Sequence, residues 1–401
     1  MSAWLLTAGC ALCAGAAGAQ SIDGLPESRF VEQRERFTPA GGAPIELRFL
    51  ITAEATSQTA RLVDATRASL TMMASWFGPS PSAELTVAGV PWRAGHDPQD
   101  RAGLVVAPLR WLTRVGDQAT ERDLIDGVVR QYWAPGDQSG GFGRAVAAYI
   151  ATRAIHHQLE GSNFATPRFL GGAVPFRLRA LLLSPPVADP RPRVWPFDTA
   201  GDAGVQRDVR ALQTLERYVG WPSMLAALSA LRAAPPSRRD AGLLAETLSN
   251  VRGTDMRFLV AECFRPDAVF DYALADLRSV PGPTGLTETT VTVARHGPGL
   301  FTTRSGDGAD NPSVPLRVRF TDGTELRDVF DGAAPSVSLV YSAPSAAVSA
   351  TVDPDAMLLV DVNRENNAIT RDTRVMPLGV RLALHWMAWL QNAMLSYTAL
   401  S

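Results

Sequence analysis

Residues 121–133 read "ERDLIDGVVRQYW". Leu124, Ile125, Val128, Val129, Tyr132 and Trp133 recur at helical spacing, which predicts a helix with one broad apolar face. Thr120 stands before it with Asp123 three residues on, close to a capping box. The segment "APGDQSGG" breaks the helix, and a second begins near Phe142 and runs to about His157. Asp126, Gly127 and Arg130 lie between the apolar positions, so they decide what chemistry this helix presents.

Working outward, "ELRFLITA" (Glu46–Ala53) has strand character, and "ATSQTARLVDATRASLTMMASWFG" predicts a helix ending at Gly78. "AELTVAGV" and "AGLVVAP" are short, apolar and β-branched, as strands are. Helical patterns cover Val205–Val219, Ser223–Ala233, Ala241–Asn250 and Met256–Phe264. The composition changes after Leu277, where "SVPGPTGLTE" has the character of a linker. Beyond it come the runs "TTVTVARH", "VPLRVRF", "LRDVF", "SVSLVYS" and "LLVDV", with "TDGT" as a turn, which predict a small antiparallel sandwich over 285–370. The stretch 376–401 is apolar but carries Arg381, His385 and Gln391, which suits an amphipathic helix better than a membrane span. Residues 20–277 would then form a mixed α/β domain with a helical region.

The chain has 401 residues, 46% of them apolar, which is room for two or three domains with a sizeable core. A formal charge of −2 supplies no field for nucleic acid. All 38 basic residues are Arg, a composition bias rather than a functional signal. "SAWLLTAGCALCAGAAGA" ends in Ala17-Gly18-Ala19, which predicts a secretory signal over 1–19 and a secreted or periplasmic, cell-envelope location. An uncleaved anchor is the alternative. Cys10 lacks a lipobox, because Thr7 stands where an aliphatic residue is wanted. Cleavage would leave Cys263 alone, with no intrachain disulfide.

Several stretches, in order, resemble the aminopeptidase N family of zinc gluzincin peptidases. "RASLTMMASWFGPSPSAELTVAGVPW" resembles its helix, F-G-x-x-P turn and first sheet strand. "ERDLIDGVVRQYW" resembles its zinc helix, where H-E-x-x-H is followed by Q-W or Q-Y. "GFGRAVAAYIA" resembles the next helix with its N-E-G-x-A-x-Y signature, and "VQRDVRALQTLERYVG" the helix after the family's active-site Tyr. "FLVAECFRPDAVFDYALA" and "VDPDAMLLVDVNRENN" resemble later helical and β segments. The matches cover about Leu47 to Asn367 and leave no room for the family's large N-terminal β domain before Leu47. The resemblance implies a thermolysin-like (gluzincin) α+β domain with a helical region, then the β-sandwich and the C-terminal amphipathic helix.

A gluzincin binds zinc with two His at i and i+4 and a Glu from the next helix, and the Glu of H-E-x-x-H is general base to the bound water. Carried across, Asp126 stands for the first His, Gly127 for the base, Arg130 for the second His and Arg144 for the third ligand. Val205 stands for the oxyanion-stabilising Tyr. Gly has no proton acceptor, guanidinium groups stay protonated and repel a divalent cation, and one carboxylate makes no zinc site. No register shift supplies a His, because Asp97 to Ile155 contains none. Asp126 and Arg130 are four apart with the acid first, the favoured ion-pair order. An Asp126–Arg130–Arg144 cluster is therefore expected at the metal position, with an open solvated cleft as the alternative. The family binds the substrate amine with a Glu in a G-x-M-E-N-like segment. In "PQDRAGLVV" that place is held by Asp100, a relic site with Arg101 beside it, or else a solvated loop acid.

Other candidates are weaker. His156 and His157 diverge by about 100° on a helix. His96 and His296 lie in loop-like sequence, and Cys263 in an apolar helix suits a core. Asp307, Asp310 and Asn311 lack EF-hand spacing, and no G-x-S-x-G elbow marks a nucleophile. The leading expectation is a catalytically inactive aminopeptidase-like protein without a cofactor, which binds a peptide or protein in the cell envelope. The rivals are an active zinc metallo-aminopeptidase with ligands not recognised above, and an accessory subunit of an envelope complex. Leu378–Ser401, with Trp386, Met387, Trp389 and Met394, is the candidate contact for a subunit or a membrane surface, or else packs back on its own domain.

Overall fold

A computed structural model describes residues 21–22, 24–91, 100–109, 119–133, 141–159, 203–282, 285–302 and 313–371. It also describes positions 383, 386, 387 and 390 of a C-terminal helix. The expected signal segment and its cleavage site, residues 134–140 of the "APGDQSGG" break, His96, Asp307, Asp310 and Asn311 lie outside the described residues, as does most of 376–401. Among the described residues no helix is long and apolar enough to cross a membrane.

After a short ladder of β1 (Ser21–Ile22) with β2 (Leu25–Pro26), β3 (Phe30–Phe37) leads into β4 (Ile45–Thr52). A four-stranded sheet has the order β3-β4-β5-β6, with β5 (Glu84–Pro91) and β6 (Leu104–Leu109) parallel to β4 and β3 antiparallel at the edge. β4 and β5 are central, and their buried stretches Phe49–Ile51 and Val87–Val90 are continuous apolar runs. α1 (Thr59–Phe77) connects β4 to β5 and buries Leu62, Leu70, Met73 and Phe77. It ends at Gly78, whose φ of 78° only glycine adopts freely.

α2 (Ala119–Trp133) packs on α1 and β6, α3 (Gly141–Leu159) on α2, and α4 (Ala203–Val219) on α3. α5 (Trp221–Ala233), α6 (Ala241–Arg252) and α7 (Arg257–Phe264) complete the helical layer. The Thr120 hydroxyl does not cap α2. It lies inside the first turn and donates to the Pro108 carbonyl at 3.2 Å, because β6 runs close enough to compete. Between α3 and α4, Glu216 accepts from the Tyr149 hydroxyl at 2.6 Å and pairs with Arg153, which stacks on Trp221 at 3.9 Å.

β7 (Tyr272–Pro281) and β8 (Thr287–Arg295) form a hairpin through the stretch expected as a linker. Their alternation is interrupted by Pro and Gly only at the turn, and composition alone hid the pairing. A three-stranded sheet in the order β11-β8-β7 includes β11 (Ser336–Ala343). The facing sheet, β10-β9-β12-β13, holds β9 (Val314–Phe320), β10 (Glu325–Phe330), β12 (Ala347–Val352) and β13 (Ala368–Thr370). All pairings in both sheets are antiparallel. The core is continuous from the first sheet through the helices into the sandwich.

"LLVDV" is not a strand. Leu358 and Leu359 are buried in a turn pinned from both sides. Asp353, only 2% exposed and at φ 48°, accepts from the Met357 and Leu358 amides at 2.6 and 2.9 Å. Thr214 of α4 accepts from the Leu359 and Val360 amides at 3.0 and 3.2 Å. The turn thereby ties the sandwich to the helical layer. Asp353→Ala strands one buried and one half-buried amide and should lower stability by about 2–3 kcal/mol, read as a lower urea midpoint. A change within experimental error would refute this role.

Candidate functional site

The opening helix meets the sheet at β6. Gln131 holds the contact: its Oε1 accepts from the Gly103 amide at 2.8 Å, and its Nε2 donates to the Arg101 carbonyl at 2.9 Å and the Leu104 carbonyl at 3.3 Å. Glu121, buried in the first turn, pairs with Arg61 of α1. Leu124, Ile125, Val128 and Val129 are fully buried, so the apolar face predicted for α2 is turned inward. The Q-Y-W tail signals a sheet-side position, but the clamp itself is a tertiary contact between Gln131 and the turn before β6.

The clamp brings Asp100, Asp126 and Arg130 together. The Arg130 guanidinium lies 2.9 Å from Asp100 Oδ2 and 3.0 Å from Asp126 Oδ2. The Asp126–Arg130 pair is the expected one. Asp100 joins from the sheet side, with its other oxygen accepting from the Val106 amide at 2.8 Å. It is not a solvated loop acid, since its side chain is 10% exposed against 36% for Asp126 and 44% for Arg130. Arg101, its neighbour in sequence, is exposed, and Arg130 is the cation that meets the Asp100 carboxylate. Burial pushes the Asp100 carboxyl above its ordinary range, and Asp126 adds to this, while Arg130 and the Val106 amide pull it back. Arg144 is exposed in the first turn of α3, and Val205 is half-buried in the first turn of α4.

Gly127 of α2 lies directly against Val105 of β6. A Cβ there would sit 2.4 Å from Val105 Cγ1 and 3.1 Å from Asp100 Oδ2. Helix and strand are therefore packed too closely at residue 127 to admit a side chain without a shift. The donor set does not fit zinc either: Asp126 and Asp100 are both in contact with the Arg130 guanidinium. Among the described residues no group of three His, Cys, Asp or Glu is placed to hold a metal.

The remaining candidates are placed elsewhere. His157 is exposed and edge-on to Trp76, and His296 is exposed beyond β8. Cys263 is buried in α7, where burial pushes its thiol up to about 12. Trp386, Met387 and Leu390 of the C-terminal helix are exposed.

Taken together, the strand order, the helix laid on β6 and the helical layer define a mixed α/β fold. It is similar to the crystal structure of Legionella pneumophila aminopeptidase A in complex with aspartic acid, with a TM-score of 0.51 at 12% identity. The likeness covers 83% of this chain and 38% of that one, so the chain spans well under half the length of that aminopeptidase. No family model and no curated protein matches the chain.

Proposed function

We propose that this protein is a degenerate relative of the aminopeptidase N family that does no peptidase chemistry and serves in the cell envelope by binding a peptide or protein. The observation that carries the reading is the closure at Gly127, where even a methyl group would collide with Val105. The Asp100–Arg130–Asp126 contacts support it, because Arg130, which the sequence resemblance aligns with the family's second zinc-binding His, is a permanent cation held between two carboxylates. The envelope location rests on the N-terminal apolar segment and its Ala-Gly-Ala site.

Metal analysis and hydrolysis of aminoacyl substrates by the purified full chain test the chemistry. We expect zinc far below stoichiometric and no chelator-sensitive cleavage, before or after zinc is added. Near-stoichiometric zinc with cleavage that a chelator abolishes would overturn the reading in favour of an active metallo-aminopeptidase. Co-purification from native membranes tests the partner: a specific companion supports binding, and a chain recovered alone counts against it.

A further inference from the structure

Sheet edges are templates for other chains, and proteins blunt them with charge, proline or shortness. Among the described residues, every edge but one is blunted. β3 carries Glu32, Arg34, Glu35 and Arg36. β10 reads "ELRDVF", β7 contains Asp276, Arg278 and Pro281, β6 contains Pro108, and β13 has three residues. β11 is different. Its eight residues "SVSLVYSA" include no charge, proline or glycine, and no described strand pairs with its outer side.

The register shows what that edge presents. The Arg295 amide donates to the Pro335 carbonyl at 2.9 Å, and Ser336 lies opposite Ala294. The odd-numbered residues of β11 therefore form the hydrogen-bonded pairs with β8. The amides and carbonyls of Ser336, Ser338, Val340 and Ser342 point to the open edge, and these same four residues are exposed, Val340 by 61%.

We propose that two copies of this chain pair β11 with β11, antiparallel, about a twofold axis at Val340. The strand is self-complementary in that register. Val340 meets Val340 of the second copy, Ser338 meets Ser342, and Leu339 meets Tyr341, so outward faces match outward faces and no like charges meet. The pairing is isologous and closes at two, because the other edges are blunted. An edge of eight residues buries less than a standard interface, so the dimer is concentration-dependent.

Light scattering and sedimentation over a concentration series of the full chain test this. We expect a monomer–dimer equilibrium. Val340→Lys and Val340→Glu, at an exposed position, each weaken it at least tenfold, and mixing the two variants restores a heterodimer. Hydrogen-bonded antiparallel pairs hold Cα atoms about 5.5 Å apart, within disulfide reach. Val340→Cys should therefore cross-link on oxidation, whereas Ser336→Cys and the wild-type chain should not. A wild-type chain that stays monomeric, or charged variants that dimerise alone as well as wild type, would overturn the proposal.

Discussion

Gly127→Glu should unfold the α2–β6 contact rather than restore a general base. A Cβ at 127 comes within 2.4 Å of Val105 Cγ1, far inside van der Waals contact, and the rest of a Glu would follow it against the buried Asp100. Neither side yields easily. Val105 is fully buried in a strand, and Gln131 clips the preceding turn to α2 through three hydrogen bonds. Overpacking by a single methyl in a tight core costs about 1–3 kcal/mol, so Gly127→Ala should lie at the upper end. Gly127→Glu adds a buried carboxylate beside another and should exceed about 4 kcal/mol. Thermal unfolding of the two variants measures the difference. The same collision means that the triple change D126H/G127E/R130H should not bind zinc, even though it rewrites the full motif. Adding Val105→Ala, which removes the two colliding methyl groups, should recover part of the lost stability. A Gly127→Ala protein as stable as wild type would show that the helix can lift off the strand at little cost.

The glycine was legible in the sequence, but the reason for it was not, because that reason is a contact between residues 105 and 127 made only by the fold. Much else could be read directly. α1, α2 and α3 follow their apolar periodicity, and β5, β8, β9, β10 and β11 coincide with β-branched runs. β3 could not be read, because "FVEQRERF" alternates charge instead of hydrophobicity. It is held as an edge strand by its ladder to β4 and by pairs such as Arg67–Glu35 at 2.6 Å, which a sequence pattern renders as a solvated run. β12 was hidden for a different reason. Half of its "AVSATV" is Ala or Ser, which dilutes the β-branched signal of its two Val and one Thr. "LLVDV" erred the other way: its leucines are buried by a hydrogen-bonded turn, so hydrophobicity marked the core without marking a strand. At the candidate site, the spacing of Asp126 and Arg130 was sufficient for their pair. The arrival of Asp100 depended on the Arg101–Leu104 turn clipped by Gln131, a tertiary event.

Arg130→Ala should show that the cluster is coupled to a buried acid and is more than a surface ion pair. Removing the guanidinium leaves Asp100, nine-tenths buried, with only the Val106 amide on its other oxygen. Breaking a buried pair costs about 3–5 kcal/mol. Arg130 is partly exposed and water screens it, so about 2–4 kcal/mol is expected near neutral pH. The loss should depend on pH, and its sign follows from the direction of the shift. The folded Asp100 carboxyl already holds its proton more tightly than an unfolded one, because burial penalises the charge. Without Arg130 it holds the proton more tightly still. Its contribution to stability is then full in acid, below the unfolded value, and is lost as the pH rises through the folded value. The variant's deficit against wild type should therefore be smallest near about pH 3, where both folded and unfolded carboxyls are largely protonated, and should grow toward neutrality. Asp100→Asn in the Arg130→Ala background removes the charge while keeping an acceptor for the Val106 amide, and should recover most of the loss at neutral pH. Urea unfolding of wild type, single and double variants at both pH values decides the matter. A deficit of equal size at both would assign the effect to lost packing of the Arg130 stem, and a double variant no more stable than the single would remove Asp100 from the account.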